Sequence, residues 1–197
     1  GRLLARSKLI PVSDRKYVER IQRAGEHLLG LINDVLSISK IEAGKLTLNK
    51  GVFAIRSFIQ GIEEMIRVRT HEKGIILDVE LDPRLPEACE GDEGKLRQVL
   101  INLLGNAAKF TTHGCVGLRL TVEDHEKIRF EVWDTGPGIA PQELGQLFQA
   151  FSQTETGRQS GEGTGLGLHI SRAMVQLMGG ELQVESALGQ GTRFFFT

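Results

Sequence analysis

Asn102, Asn106 and Lys109 are spaced by four and then three residues, so on a helix two amide oxygens and one ammonium point the same way on successive turns. Such a row suits a polyphosphate with its magnesium: a neutral oxygen serves the hard cation, and a positive charge serves the phosphate oxygens. With Gln98 the row is a polar lane on a helix from Lys95 to Phe110, whose other side carries Leu96, Val99, Leu100, Leu103, Leu104 and Ala107. A solvated face would satisfy the same pattern, but it could use Glu, Lys or Arg freely. Asn102, Gly105 and Asn106 together cost about 2 kcal/mol relative to alanine in a helix, so stability is not what these positions serve.

Three glycine clusters follow. Asp134, Thr135, Gly136, Pro137, Gly138 and Ile139 come directly off a strand ending in Trp133. Alone such a cluster is often only a turn. An aspartate at a strand end can also accept a hydrogen bond from an exocyclic amine such as that of adenine, while glycines let a flat ring approach the backbone. Gly161 to Leu168 reads Gly-Glu-Gly-Thr-Gly-Leu-Gly-Leu and runs into a helix. Tight packing at small residues would explain it; so would backbone N–H groups and a helix dipole presented to phosphate. It is neither a Walker loop, since no Gly-Lys-Ser/Thr follows, nor a dinucleotide fingerprint, since Gly163, Gly165 and Gly167 alternate. The third cluster, Gly189, Gln190, Gly191 and Thr192, by itself reads as a hairpin turn.

These residues need a scaffold, and the hydrophobic pattern supplies one. A helix is expected from Ile55 to about His71, and a strand from Ile75 to Leu81. Strands Gly114 to Val122 and Lys127 to Trp133 read as a hairpin turning through Glu123, Asp124, His125 and Glu126. A short helix is expected around Gln142 to Phe151, then a polar stretch Ser152 to Gly163, then a helix from Leu166 to Met178 stopped by Gly179 and Gly180. Strands Leu182 to Ser186 and Thr192 to Phe196 close the chain. The whole is an α/β (α+β) two-layer sandwich, a mixed sheet with helices on one face.

Ahead of it, Ile21, Ala24, Leu28, Leu31, Val35 and Ile38 form an unbroken heptad seam, widened by Leu29, Ile32 and Leu36. That breadth suits a four-helix bundle, as half of a helical hairpin that dimerises. Ser13 and Asp14 after Pro11 are the expected N-caps and Gly44 the C-cap; from Arg15 to Ala43 the helix would run about 44 Å.

Composition narrows the function. The 197 residues are 40% hydrophobic and 25% charged with a formal net charge of −1, an ordinary globular balance. Dispersed Lys and Arg exclude the clustered basic footprint of a nucleic-acid binder. No run approaches a membrane span and no signal peptide opens the chain. Cys89 and Cys115 sit in no CxxC or Cys/His cluster, which argues against a zinc site or a disulfide; both are expected to be reduced, buried thiols. A start at Gly1 without methionine and a stop just after Phe194, Phe195 and Phe196 read as an excised fragment.

The order of the pieces is more specific than any one of them. Asn102-xxx-Asn106-xx-Lys109, Asp134-x-Gly136-x-Gly138, Phe148-xx-Phe151, the run from Gly161 to Gly167, and Gly189-x-Gly191-Thr192 closely resemble the N, first glycine, F, second glycine and third glycine boxes of sensor histidine kinases. Gly25 to Leu29 and Lys40 to Gly44 resemble the second helix of the dimerisation hairpin in hybrid-type members. The likeness covers about residues 15 to 197, with residues 1–46 as a partial hairpin and 47–197 as the catalytic ATP-binding domain.

The resemblance implies the Bergerat fold, with ATP and Mg²⁺ bound between the N-box helix and a mobile lid. It implies that Asp134 holds the adenine amino group, with Gly136 and Gly138 lining the pocket and Thr192 near the adenine end. Asn106 would bind Mg²⁺, with Asn102 and Lys109 on the phosphates. Gly163, Thr164, Gly165 and Gly167, with the N–H groups of Leu166 and Leu168, would cradle the phosphates. Ser152 to Glu162 would be the lid, anchored at Phe148 and Phe151, with Arg158 reaching the γ-phosphate on closure. The implied partners are a histidine-bearing dimerisation helix and a response-regulator receiver domain, in a cytoplasmic segment of a homodimeric parent, with no nucleic acid.

Two departures matter. ATPases of the same fold, among them topoisomerases, the ninety-kilodalton heat-shock chaperones and mismatch-repair ATPases, carry a glutamate four residues before the metal-binding asparagine. Here Asn102 stands there, and an amide is no base for water near neutral pH. The family's phosphoacceptor histidine is followed by an acidic residue, then Leu/Ile/Phe, Arg/Lys, a small residue and Pro. None of His27, His71, His113, His125 and His169 is so followed, so the acceptor is expected before Gly1 and the fragment is not expected to label itself. Glu162 replaces a glycine of many relatives. The rivals are an ATPase of the same fold, and a degenerate module kept for dimerisation or regulation.

Overall fold

A computed structural model describes residues 12–123, 127–159 and 163–197, with some side chains of the first helix and that of Gln159 left undescribed. The expected turn residues Asp124, His125 and Glu126, the lid residues Gly161 and Glu162, Pro11, and the His27 side chain lie outside the described set. The chain divides into two compact units, residues 1–45 and 46–197.

The first unit carries helix α1 (Val12–Glu42). It begins at Val12, so Ser13 and Asp14 sit in its first turn and are not its caps. Cap preference is a local bias of about 1 kcal/mol, which does not by itself fix where a helix of this length begins. Its end is as expected: Gly44 takes φ 61°, with Gly44 N–H donating to Ile41 O at 3.0 Å and Lys45 N–H to Lys40 O at 2.8 Å. Along it Ile21, Leu28, Leu29, Ile32, Val35 and Leu36 are exposed.

The second unit opens with a ribbon that sequence reading missed, β1 (Gly51–Ala54) paired antiparallel with β3 (Ala88–Gly91). Strands of four residues leave too short a period-two pattern to see. Between them lie α2 (Ile55–Lys73) and β2 (Ile76–Leu81); after them come α3 (Glu93–Phe110), β4 (Cys115–Val122) and β5 (Ile128–Asp134). The remaining elements are α4 (Pro141–Leu144), α5 (Glu155–Gln159), α6 (Gly167–Leu177), β6 (Gln183–Ala187) and β7 (Gly191–Phe196). Only Pro141–Leu144 of the helix expected to Phe151 is helical; turns follow, ending at Phe151 with φ 63°.

The large sheet runs β2-β4-β5-β7-β6, with β2 and β4 parallel and the other pairs antiparallel. Its inner face buries Val116, Leu118, Leu120, Phe130, Val132, Phe194 and Phe196 with Ile59 and Ile62 of α2, Val99, Leu100, Leu103 and Leu104 of α3 and Ile170 and Met174 of α6. The outer face carries ion pairs, Glu80 with Arg119, Arg119 with Glu131, Arg193 with Glu131 and Glu185. One apolar face and one charged face give the expected two-layer mixed sandwich with helices on one side. Both cysteines are free, as expected, but half-buried and not fully buried, since Cys115 alternates with the core residues of β4 and Cys89 lies in the β1–β3 ribbon; partial burial pushes both thiols above their usual range.

Candidate functional site

Helix α3 is the floor of the site, and its N-terminus is fixed first. Asp92 caps it: Oδ1 accepts from Lys95 N–H at 3.0 Å, while Oδ2 accepts from Lys95 Nζ at 2.7 Å and from Asn49 N–H at 2.8 Å. Burial pushes this carboxyl up, but Lys95 and the two backbone donors outweigh it and hold it below the usual aspartate value. At the far end Lys73 of α2 donates to the carbonyls of Ala108 and Lys109 at 2.7 and 2.8 Å, supplying partners for the last turn.

Between these ends three segments settle on α3 in order. Asn102 meets α6: its Nδ2 donates to Ser171 Oγ at 2.9 Å, and Gly167 lies so close that a side chain there would run into the Asn102 amide. Lys109 meets the end of the glycine run, since a carbon added to Gly163 would lie 3.2 Å from its Nζ, and the ammonium sits 4.8 Å over the Phe110 ring. Thr111, the helix C-cap, meets the Asp134 loop, where a carbon added to Gly136 would lie 2.8 Å from Asp134 Oδ1 and 3.3 Å from Thr111 Oγ1. Asn106 lies between them, half-buried.

Asp134 ends β5 in register with Val116 of β4 and Thr192 of β7. Its Oδ1 accepts the Gly136 N–H at 2.8 Å. Burial still wins over that bond and one from the Thr192 backbone, and pushes the carboxyl above its usual value. Thr192 is buried and 3.0 Å from Ser186 Oγ, which in turn donates to Gly191 O and accepts from Ile139 N–H, each at 2.8 Å. Gly138 at φ 70° packs on the Ala187 carbonyl, so the first and third glycine clusters form one wall, closed by a serine that sequence reading did not single out.

The second glycine cluster behaves differently. Leu166 is buried and its N–H donates to Thr164 Oγ1 at 3.1 Å, so that N–H is engaged within the loop. Gly165 at φ 71° rests against the backbone of Phe151 and Ser152, and Gln153 Nε2 donates to Gly163 O at 2.8 Å. The two ends of the expected lid are therefore tied together. The stretch contains α5, whose first N–H, of Glu155, donates to Glu143 at 2.7 Å, and Arg158 stands exposed on it. The two expected hinge anchors are unequal. Phe148 packs edge-on against Phe194 at 6.4 Å with Arg172 5.4 Å from its ring, and its carbonyl lies 3.0 Å from His169 Nδ1. Phe151 is 70% exposed and anchors through its backbone alone.

Ser171, Gln153 and Thr111 join the site as residues the sequence reading passed over. Ser171 alone left a trace: it lies four residues after Gly167 and so on the same face of α6.

Comparison with known proteins gives a consistent picture. Residues 91–197 match the family of histidine kinase-, DNA gyrase B- and HSP90-like ATPases. The chain is 40% identical to sensor protein GacS of Pseudomonas syringae pv. syringae over 99% of its length, and 44% identical to the circadian input-output histidine kinase CikA of Synechococcus elongatus over 91%. It spans 22% and 24% of those two proteins. Its fold matches full-length ShkA in complex with AMPPNP at a TM-score of 0.82 with 39% identity, over 99% of this chain and 40% of that one. It also matches the mycobacterial sensor histidine kinase MprB at 0.63 with 30% identity, over 75% of this chain and 95% of that one.

Proposed function

This chain belongs to the histidine kinase-, DNA gyrase B- and HSP90-like ATPases, as the catalytic domain of a two-component sensor histidine kinase, and on that footing we propose that it binds ATP along α3 and delivers the γ-phosphoryl to a histidine outside the chain. The observation that carries this reading is the order of contacts on α3: Gly167 at Asn102, Gly163 at Lys109 and Gly136 at Thr111. A purine at the Asp134 end would have its phosphates over Asn106 and Lys109 and under the glycine run.

Asp134, desolvated yet held by Gly136 N–H, accepts the exocyclic amine. Gly136 and Gly138 keep that wall flat, and Thr192 completes it. Lys109 and the backbone from Gly163 to Leu168, with Thr164 shaping the loop, take the phosphates; Arg158 is carried to them by movement of α5. Among the described residues no three His, Cys, Asp or Glu side chains cluster to hold a metal. Mg²⁺ keeps several waters and binds in good part through substrate phosphates, and the protein oxygen that would hold it here is the Asn106 amide. The ion would neutralise charge between the phosphates.

The transfer breaks the bond between the γ-phosphorus and its bridging oxygen, forms a phosphorus–nitrogen bond on the acceptor imidazole and releases ADP; the protein's part is positioning and charge. Asn102 works against hydrolysis. It has no basicity, and its Nδ2 already donates to Ser171 Oγ. The same reading makes residues 1–46 part of a dimerisation hairpin in a homodimeric, cytoplasmic segment, with a receiver domain as the next phosphoryl acceptor. No described helix is long and apolar enough to cross a membrane.

Calorimetric titration with a non-hydrolysable ATP analogue, with and without magnesium, tests binding; incubation of the chain with ATP and a separate histidine-bearing hairpin tests transfer. Binding that magnesium strengthens, with label on the hairpin outpacing phosphate release, is expected. Absence of binding sinks the reading, and hydrolysis faster than transfer moves the chain to the ATPases.

A further inference from the structure

Thr111 is fully buried, and among the described residues its Oγ1 is the only buried side-chain oxygen or nitrogen without a hydrogen-bond partner. Such a group costs roughly 1–3 kcal/mol unless something pairs with it, and a threonine at a C-cap needs no hydroxyl. Its backbone N–H already bonds Ala107 O at 3.0 Å, so the cap would be complete with valine.

The surroundings say what pairs with it. A carbon added to Gly136 would lie 2.8 Å from Asp134 Oδ1, 3.3 Å from Thr111 Oγ1 and 3.4 Å from Phe110 O. A hydroxyl, a carboxylate oxygen and a backbone carbonyl thus converge beside Gly136, and buried water is typically held by two to four such partners. Any side chain at this position would crowd those oxygens, and the φ of Gly136 is not in the left-handed region, so contact and not backbone conformation demands glycine there. The three oxygens include the carboxylate proposed to read the purine.

We propose that Thr111 is a positioning residue for nucleotide recognition: with Asp134 and Phe110 O it holds a buried water that donates to the Asp134 carboxylate and fixes its orientation toward the purine amine. The water donates its two protons to Asp134 Oδ1 and Phe110 O and accepts the Thr111 hydroxyl proton, which satisfies all three groups. Burial disfavours the ionised form of Asp134, and a further donor offsets part of that. This inference rests on the reading of Asp134 as the purine-binding group.

The test compares wild type with Thr111→Val, Thr111→Ser and Asp134→Asn, titrating each with a non-hydrolysable ATP analogue between pH 4 and 8. Loss of the bridged hydrogen bond in Thr111→Val should weaken binding by about tenfold. It should also move the acid limb of the binding profile to higher pH, because the carboxylate loses a donor to its charged form. Thr111→Ser keeps the hydroxyl and should restore both. Thr111→Val with wild-type affinity and an unmoved acid limb overturns the proposal, as does weaker binding with no shift of that limb, the mark of a purely structural role. Thr111→Ala gives the same readout should valine prevent folding. Asp134→Asn separates the levels: if it binds like wild type the purine assignment itself fails, and if it loses binding while Thr111→Val does not, only the role of Thr111 falls.

Discussion

The two ends of α3 each carry an aspartate beside them, and the fold treats the two in opposite ways. Asp92, at the N-terminus, is buried and saturated: two backbone N–H groups and the Lys95 ammonium hold it ionised and below its usual value. Asp134, beside the C-terminus, is desolvated with fewer donors and sits above its usual value. The first arrangement stabilises the folded chain. The second leaves acceptor capacity unsatisfied in the free protein, which a ligand with a donor can use. The same side chain is a fastener at one end and a contact point at the other, and the number of donors aimed at it decides which.

The contrast breaks if the two aspartates can be exchanged in role. The largest expected effect is Asp134→Asn, which exchanges an acceptor-only carboxylate for an amide and should cost about 2–3 kcal/mol of ATP-analogue binding, roughly a hundredfold. Its thermal midpoint should not fall, because removing a buried carboxyl with a raised pKa relieves desolvation at neutral pH. Asp92→Ala should do the reverse. Loss of the cap, with Lys95 left half-buried without its partner, should destabilise the chain by about 2 kcal/mol in urea denaturation while the affinity of the folded fraction stays within a few-fold. A smaller effect sharpens the functional end: Asn106→Ala should weaken binding about tenfold with magnesium present and hardly at all in its absence, since only a metal-bridged contact is removed.

The same contrast explains which parts of the molecule could be read from sequence. Leu96, Val99, Leu100, Leu103, Leu104 and Ala107 repeat with the helix period and all prove buried, because a long periodic element advertises its core face. The row of Asn102, Asn106 and Lys109 was visible because its residue types are wrong for a solvated helix. What escaped depends on tertiary approach. The amide of Asn102 turns to Ser171, which is 69 residues away, and no local pattern foretells that hydrogen bond. Phe151 and Phe148 look equivalent in sequence, yet a left-handed φ turns one outward while Phe194 and Arg172 hold the other. Ser13 and Asp14 show the converse: good local cap chemistry sits inside a helix that runs from Val12.

The finest test of the comparison is pH. Asp92 has a folded pKa below that of an unfolded aspartate, about 3.9. Its contribution to stability is therefore complete above that value and is lost as pH falls through the lower folded one. Asp134 lies on the other side, so in the folded chain it takes up its proton at a pH above that of an ordinary aspartate. Lowering the pH should then dismantle the two ends in sequence: nucleotide affinity declines first, a few-fold, while circular dichroism still reports a folded chain, and unfolding follows only at lower pH. Affinity and fold lost together at one pH would mean that the two carboxyls are not separated by their surroundings. In Asp134→Asn the early decline should vanish and the later unfolding remain, because the group that titrates first has been removed and the cap of α3 has not.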